Sequence, residues 1–160
     1  MKTMNWSVVL LMVALLVCCG GGENKEAEVS APAPTEGELS KAQLEHGIGP
    51  IKPFPLEPLN DALVASGKEI FDVKCIACHK IDERLVGPPL QGITEKRSPA
   101  FIMNMILNPD EMVKKHPEVK AMLATYYVPM TFQNVTEEEA RSILEYLRTI
   151  KVEKEITQGG

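Results

Sequence analysis

Three patterns of apolar and polar positions follow one another along this chain. The first is an apolar run from Trp6 to Val17, interrupted only by Ser7 and set between Lys2 and Cys18-Cys19-Gly20. It falls short of the roughly 20 residues that a spanning helix needs, so it reads as an export signal. The second is a polar stretch punctuated by Gly20-Gly21-Gly22, Pro32, Pro34, Pro50, Pro53, Pro55 and Pro58. It is too poor in apolar side chains to build a core and predicts a flexible tether. Its end, Ile48 to Leu59, is more apolar and is expected to lie against the domain as an extended strap.

The third pattern has helical period and runs from about residue 60 to 150. Asn60 or Asp61 can cap a first helix in which Leu63, Gly67, Ile70, Phe71 and Lys74 recur at helical spacing. Ser98-Pro99 opens a second, with serine as cap and proline at the first helical position. It carries Phe101, Ile102, Met105 and Ile106 and stops near Asn108-Pro109. Shorter helices are expected around 109–116 and 117–126. Thr136-Glu137-Glu138-Glu139 is a capping box with acids at the positive helix end. The helix it opens presents Ala140, Ile143, Leu144, Leu147 and Ile150. With no strand-length alternation and no βαβ pattern, the domain is all-α. Gly67 costs its helix roughly 1 kcal/mol, which implies close approach by another helix.

These patterns divide the 160 residues into a signal at 1–18, a tether at 19–59, one domain at 60–151 and a tail at 152–160. The net charge of −5 lies mostly in the tether: between Gly20 and Asn60, seven glutamates face Lys25, Lys41 and Lys52. Charges in the domain nearly cancel. No basic stripe marks a nucleic-acid partner, and the chain is expected to be a monomer. Leu16-Val17-Cys18-Cys19 resembles a relaxed bacterial lipobox. Cys19 is the expected lipid acceptor, with Cys18 the alternative; an ordinary cleaved signal peptide and an uncleaved N-terminal anchor are the competing readings. The lipobox reading places the domain on the periplasmic side of a bacterial membrane, anchored by lipid.

Of four cysteines, only Cys75 and Cys78 fall in the domain, too few and too close for a disulfide framework. In Cys75-Ile76-Ala77-Cys78-His79, two thiols three residues apart share one helical turn. Each can add to one vinyl group of a haem, and the next residue, His79, then lies under the iron as axial ligand. A zinc site would need a second ligand pair, and none is spaced for it. A redox dithiol would need a preceding strand. His46 and His116 are isolated and read as solvated surface, or as reserve iron ligands.

From Asn60 to Ile150 the chain resembles a class I monohaem cytochrome c. Four motifs carry the resemblance in order: Gly67-Lys68-Glu69-Ile70-Phe71 ahead of Cys75, Gly87-Pro88-Pro89-Leu90 after it, Val128-Pro129-Met130, and Ile143-Leu144-Glu145-Tyr146-Leu147. The resemblance implies helices wrapped around one covalent haem c, with Gly67 and Phe71 packed across Ile143 and Tyr146. It implies Met130 as the second axial ligand, although Thr131 stands where the family commonly has proline. It also implies that the carbonyl of Pro88 orients His79 and that Leu90 touches the haem. The buried tryptophan of the family's mitochondrial members is missing, since Trp6 lies in the signal, so the propionates need other donors, with Tyr126, Tyr127 and Arg97 as candidates.

His/Met ligation fills the iron and suits outer-sphere electron transfer rather than catalysis. The resemblance therefore implies a carrier, not an enzyme. Its expected donor is a quinol-oxidising membrane complex, and its acceptor a terminal oxidase or a reductase such as nitrous oxide reductase. Two other readings stay open: a five-coordinate haem enzyme or gas sensor, and a fixed electron-entry subunit of a larger respiratory complex.

Overall fold

The computed structural model describes residues 38–152. The signal, with Cys18 and Cys19, and nearly all of the tail lie outside the described residues. Among these there are seven helices and no strand.

Local sequence explains where most helices begin. In α2 (Asp61–Lys74) the Asn60 side chain accepts hydrogen bonds from the amides of Ala62 and Leu63 at 3.0 and 3.1 Å. In α4 (Pro99–Leu107) the Ser98 hydroxyl accepts from Phe101 N at 3.2 Å. α5 (Pro109–Lys115) and α6 (Pro117–Tyr126) each open on a proline, which gives up no needed donor there. α7 (Glu137–Thr149) closes its capping box through Thr136 Oγ1 and the Glu139 carboxylate. The remaining two are α1 (Lys41–His46) and a single turn, α3 (Ile93–Lys96).

The frame is the crossing of α2 and α7, the most extensive helix contact among the described residues. Phe71 and Tyr146 meet at 5.4 Å between ring centroids. Phe71, Ile143, Leu144 and Leu147 are buried in one core with Ile102 and Ile106 of α4. Gly67 lies at the point of closest approach, where its missing side chain admits the α7 backbone.

The stretch expected to be tether needs correction from Glu38 onward, over more than half its length. Ser40 caps α1 with its own capping box, and the chain then runs as a strap across α4 and α7. Ile51 is buried, a gain of about 1.5–3 kcal/mol over leaving it in water. Asn104, fully buried, serves the strap from both ends of its amide. Its oxygen accepts from Ile51 N at 2.9 Å, and its nitrogen donates to the carbonyls of His46 and Ile51 at 2.9 and 3.0 Å. Asn108 donates to Ile48 O and Arg148 to Glu57 O. The ordered unit therefore begins by Glu38 rather than at residue 60.

His116 also departs from expectation. It is 1 % exposed, not solvated surface. Its Nε2 donates to Leu44 O at 3.0 Å, and its ring stands edge-on to Phe101 at 5.2 Å. It pins α1 to the junction of α5 and α6. His46, half-buried, pairs with Ser98 Oγ at 3.0 Å.

Candidate functional site

The chain turns sharply where α2 ends. Cys75 caps the helix, and its carbonyl accepts from Cys78 N and His79 N at 3.1 and 3.0 Å. This tight turn puts both thiols and the imidazole at the mouth of one cavity of about 310 Å³. Phe71, Ile102, Ile106, Leu123, Ile143 and Leu147 give it apolar walls drawn from four helices. Cys75, Cys78, His79, Pro88, Leu90 and Met130, which sequence reasoning singled out separately, all line it. His46 and His116 do not.

The two thiols differ. Cys75 is partly buried and Cys78 exposed. Burial pushes the Cys75 thiol up to about 11; Lys74 opposes the shift and Cys78 adds to it. At neutral pH Cys75 is therefore a protonated thiol, a poor nucleophile for thiol–disulfide exchange. No cluster of three or more His, Cys, Asp or Glu side chains able to hold a metal ion occurs among the described residues.

His79 is oriented by the loop that follows it. Gly87 N bonds back to Cys78 O at 2.8 Å, which folds the loop under the ring. His79 Nδ1 then donates to the carbonyl of Pro88 at 2.9 Å. With Nδ1 committed, Nε2 is the nitrogen left for a metal, the usual arrangement for a ligating imidazole. The ring sits so close over Gly87 that a Cβ there would stand 2.5 Å from its Cε1. Met130 is half-buried against the main core, in the loop between α6 and α7.

Two contacts at the rim were not anticipated. Arg84 Nη2 donates to Thr125 O at 2.8 Å, with the guanidinium 4.6 Å from the Tyr126 ring centroid. Lys74 Nζ donates to Asn134 O at 2.9 Å and to the Glu139 carboxylate at 3.0 Å. The only hint in the sequence is position: one cation directly precedes Cys75, and the other follows His79 in the same loop. Of the three propionate candidates, Arg97 and Tyr126 line the cavity, whereas Tyr127 does not and is 80 % exposed. Arg97 is ion-paired with Glu118.

An apolar cavity with two adjacent thiols, an imidazole held by its far nitrogen and a thioether is the donor set that a covalently attached haem requires. Comparison with known proteins agrees. Residues 64–151 match the family model described as cytochrome c. The chain is 32% identical over 88 residues to cytochrome c-551 of Ectopseudomonas mendocina, covering 54% of this chain and 100% of that one. It is 26% identical over 112 residues to a cytochrome c2 of Rhodopseudomonas palustris, covering 54% of this chain and 97% of that one. Among solved structures, a cytochrome c from Rhodothermus marinus is 41% identical, with a TM-score of 0.65 over 69% of this chain and 97% of the other. That larger share reaches upstream of residue 64, into the strap.

Proposed function

Because the chain belongs to the cytochrome c family, whose members carry one covalent c-type haem, we propose that it is a single-electron carrier whose haem is bound through Cys75 and Cys78 and ligated by His79 and Met130. The observation that carries this reading is the 2.9 Å bond from His79 Nδ1 to Pro88 O, at a cavity shared with both thiols and Met130. Haem supplies reversible one-electron exchange at its iron.

The chain's own residues do the rest. The Cys75 and Cys78 thiols would hold the cofactor by thioether links, so that it would not be lost during turnover. Pro88 holds the imidazole in one tautomer, with Nε2 left for a metal. Met130 would supply a thioether, a soft neutral donor that would favour the reduced state. The apolar walls exclude water, which limits reorganisation when charge changes. Val86 and Val128 line the cavity and are also exposed, 38 % and 54 %, so the site reaches a partner-accessible surface.

The physiological reading is a carrier on the periplasmic side of a bacterial membrane, held by lipid at Cys19. It would take electrons from a quinol-oxidising complex and deliver them to a terminal oxidase or reductase. Support comes from the export-type N-terminus and from the bacterial relatives. Met130→Ala is the test of ligation: it should abolish the weak far-red band of oxidised protein that reports a thioether–iron bond, and lower the potential. An unaltered band would remove Met130 from the site. Mass spectrometry of the mature N-terminus tests the anchor, and an unlipidated Cys19 would sink it.

A further inference from the structure

The loop that carries Met130 is bounded by two non-glycine residues in the left-handed backbone region. Tyr127, at the end of α6, has φ 62°, and Asn134, just before the α7 cap, has φ 52°. Asparagine tolerates this region, but tyrosine pays a steric cost between its Cβ and the following carbonyl. A loop so bent keeps its shape only if neighbouring structure holds it.

Each bend is gripped beside it by a cation from the cysteine–histidine segment. Arg84 binds Thr125 O and covers the Tyr126 ring, next to Tyr127. Lys74 binds the carbonyl of Asn134 itself and is anchored by Glu139. The two cations stand on either side of Cys75 to His79 in sequence, so the segment that presents the imidazole also clamps both ends of the loop that presents the thioether. Arg84 binds the backbone carbonyl of Thr125 and forms no ion pair among the described residues. An exposed residue kept only for solubility would not need that geometry.

We infer that Lys74 and Arg84 are positioning residues for Met130: they hold the methionine loop closed and set how seldom the thioether leaves the iron. The inference rests on the reading of Met130 as the sixth ligand. Releasing either clamp raises the fraction of protein whose sixth position is free. An outside ligand that binds only this fraction then binds more tightly, in proportion to it.

Imidazole is such a ligand; its nitrogen replaces the thioether with no change in iron oxidation state. Oxidised holoprotein is titrated with imidazole and followed by loss of the far-red thioether–iron band. One solvent-screened hydrogen bond, counted as an ordinary one, and one exposed cation–π contact together correspond to roughly a tenfold change. Arg84→Ala should therefore lower the apparent dissociation constant about tenfold, and Lys74→Ala should lower it at least as much. Lys68→Ala, which removes only a surface pair with Asp72, should leave it unchanged. Should the Lys74 variant prove too unstable to assay, Arg84→Ala decides alone. A constant within twofold of the parent in either assayable clamp variant overturns the inference. Absence of the band from the parent protein would instead overturn the assignment of Met130.

Discussion

A Cβ at Gly67 would stand 1.9 Å from the carbonyl oxygen of Ser142 and 2.4 Å from its carbonyl carbon. Both are backbone atoms of α7, so no rotamer change can clear them. This explains why a residue that weakens a helix stands in the middle of α2. The Ser142 hydroxyl bonds to Glu138 O at 3.1 Å inside the same helix, which further fixes that stretch of α7.

Gly67→Ala should therefore force the two helices apart. The expected cost is at the upper end of overpacking, about 3 kcal/mol, or roughly 10 °C in the unfolding midpoint of the holoprotein. Thermal melting followed by far-ultraviolet dichroism measures it, and a midpoint within 2–3 °C (roughly 1 kcal/mol) of the parent would refute the close approach.

Gly87→Ala tests the seat of His79. The added Cβ would meet the ring at 2.5 Å, at Cε1, and at 2.9 Å, at Nδ1. The ring must tilt, and the bond to Pro88 O must lengthen. The expected outcome is normal helix content with a shifted haem spectrum and potential. Wild-type spectra in this variant would mean that the loop yields rather than the ring.

These contacts show where sequence is informative and where it is not. Asn60, Ser98 and Thr136 announce their helices because a cap bonds to residues two or three positions away. The motif at Cys75 is equally local. α1 was not foreseen although Ser40 and Gln43 carry the same local capping signal, because so short a run has no apolar face to bury, and what holds it arrives from Asn104 and His116, more than fifty positions downstream. His116 was misread for the same reason: an isolated histidine looks solvated until Phe101 and Leu44 O are seen to enclose it. The clamps of Lys74 and Arg84 end on backbone carbonyls, which leave no trace in a residue pattern.

Asn104→Ala should release the strap. It strands Ile51 N–H and the carbonyls of His46 and Ile51 in a region largely closed to water, a cost of about 3 kcal/mol. Limited proteolysis of the holoprotein should then cut between residues 47 and 59, sites resistant in the parent. Equal resistance in both would show that other contacts suffice to hold the strap.

Acid should loosen the junction of the methionine loop with α7. The backbone N–H of Thr136, and after it the Lys74 ammonium, hold the Glu139 carboxyl below its ordinary value of 4.5. A depressed value in the folded state means that this carboxylate contributes stability at neutral pH. The contribution fades as pH falls from about 4.5 through the folded value. Urea midpoints measured from about pH 6 to 3 should decline, and Glu139→Gln should make the decline shallower. Parallel profiles for the two proteins would exclude Glu139 as a source of the acid response.

The strap also decides how tension travels. A pull along the chain from its N-terminal side reaches α1 and the strap first. There it is resisted by bonds to Asn104 on α4, to Asn108, which closes α4, and to His116, between α5 and α6. The load passes into α4 and the α5–α6 junction before it can reach Asn60 and the head of α2. The helix that ends in Cys75 is thus mechanically insulated from whatever the N-terminal segment is tied to, and strain on that segment leaves the turn that holds both thiols and the imidazole undisturbed.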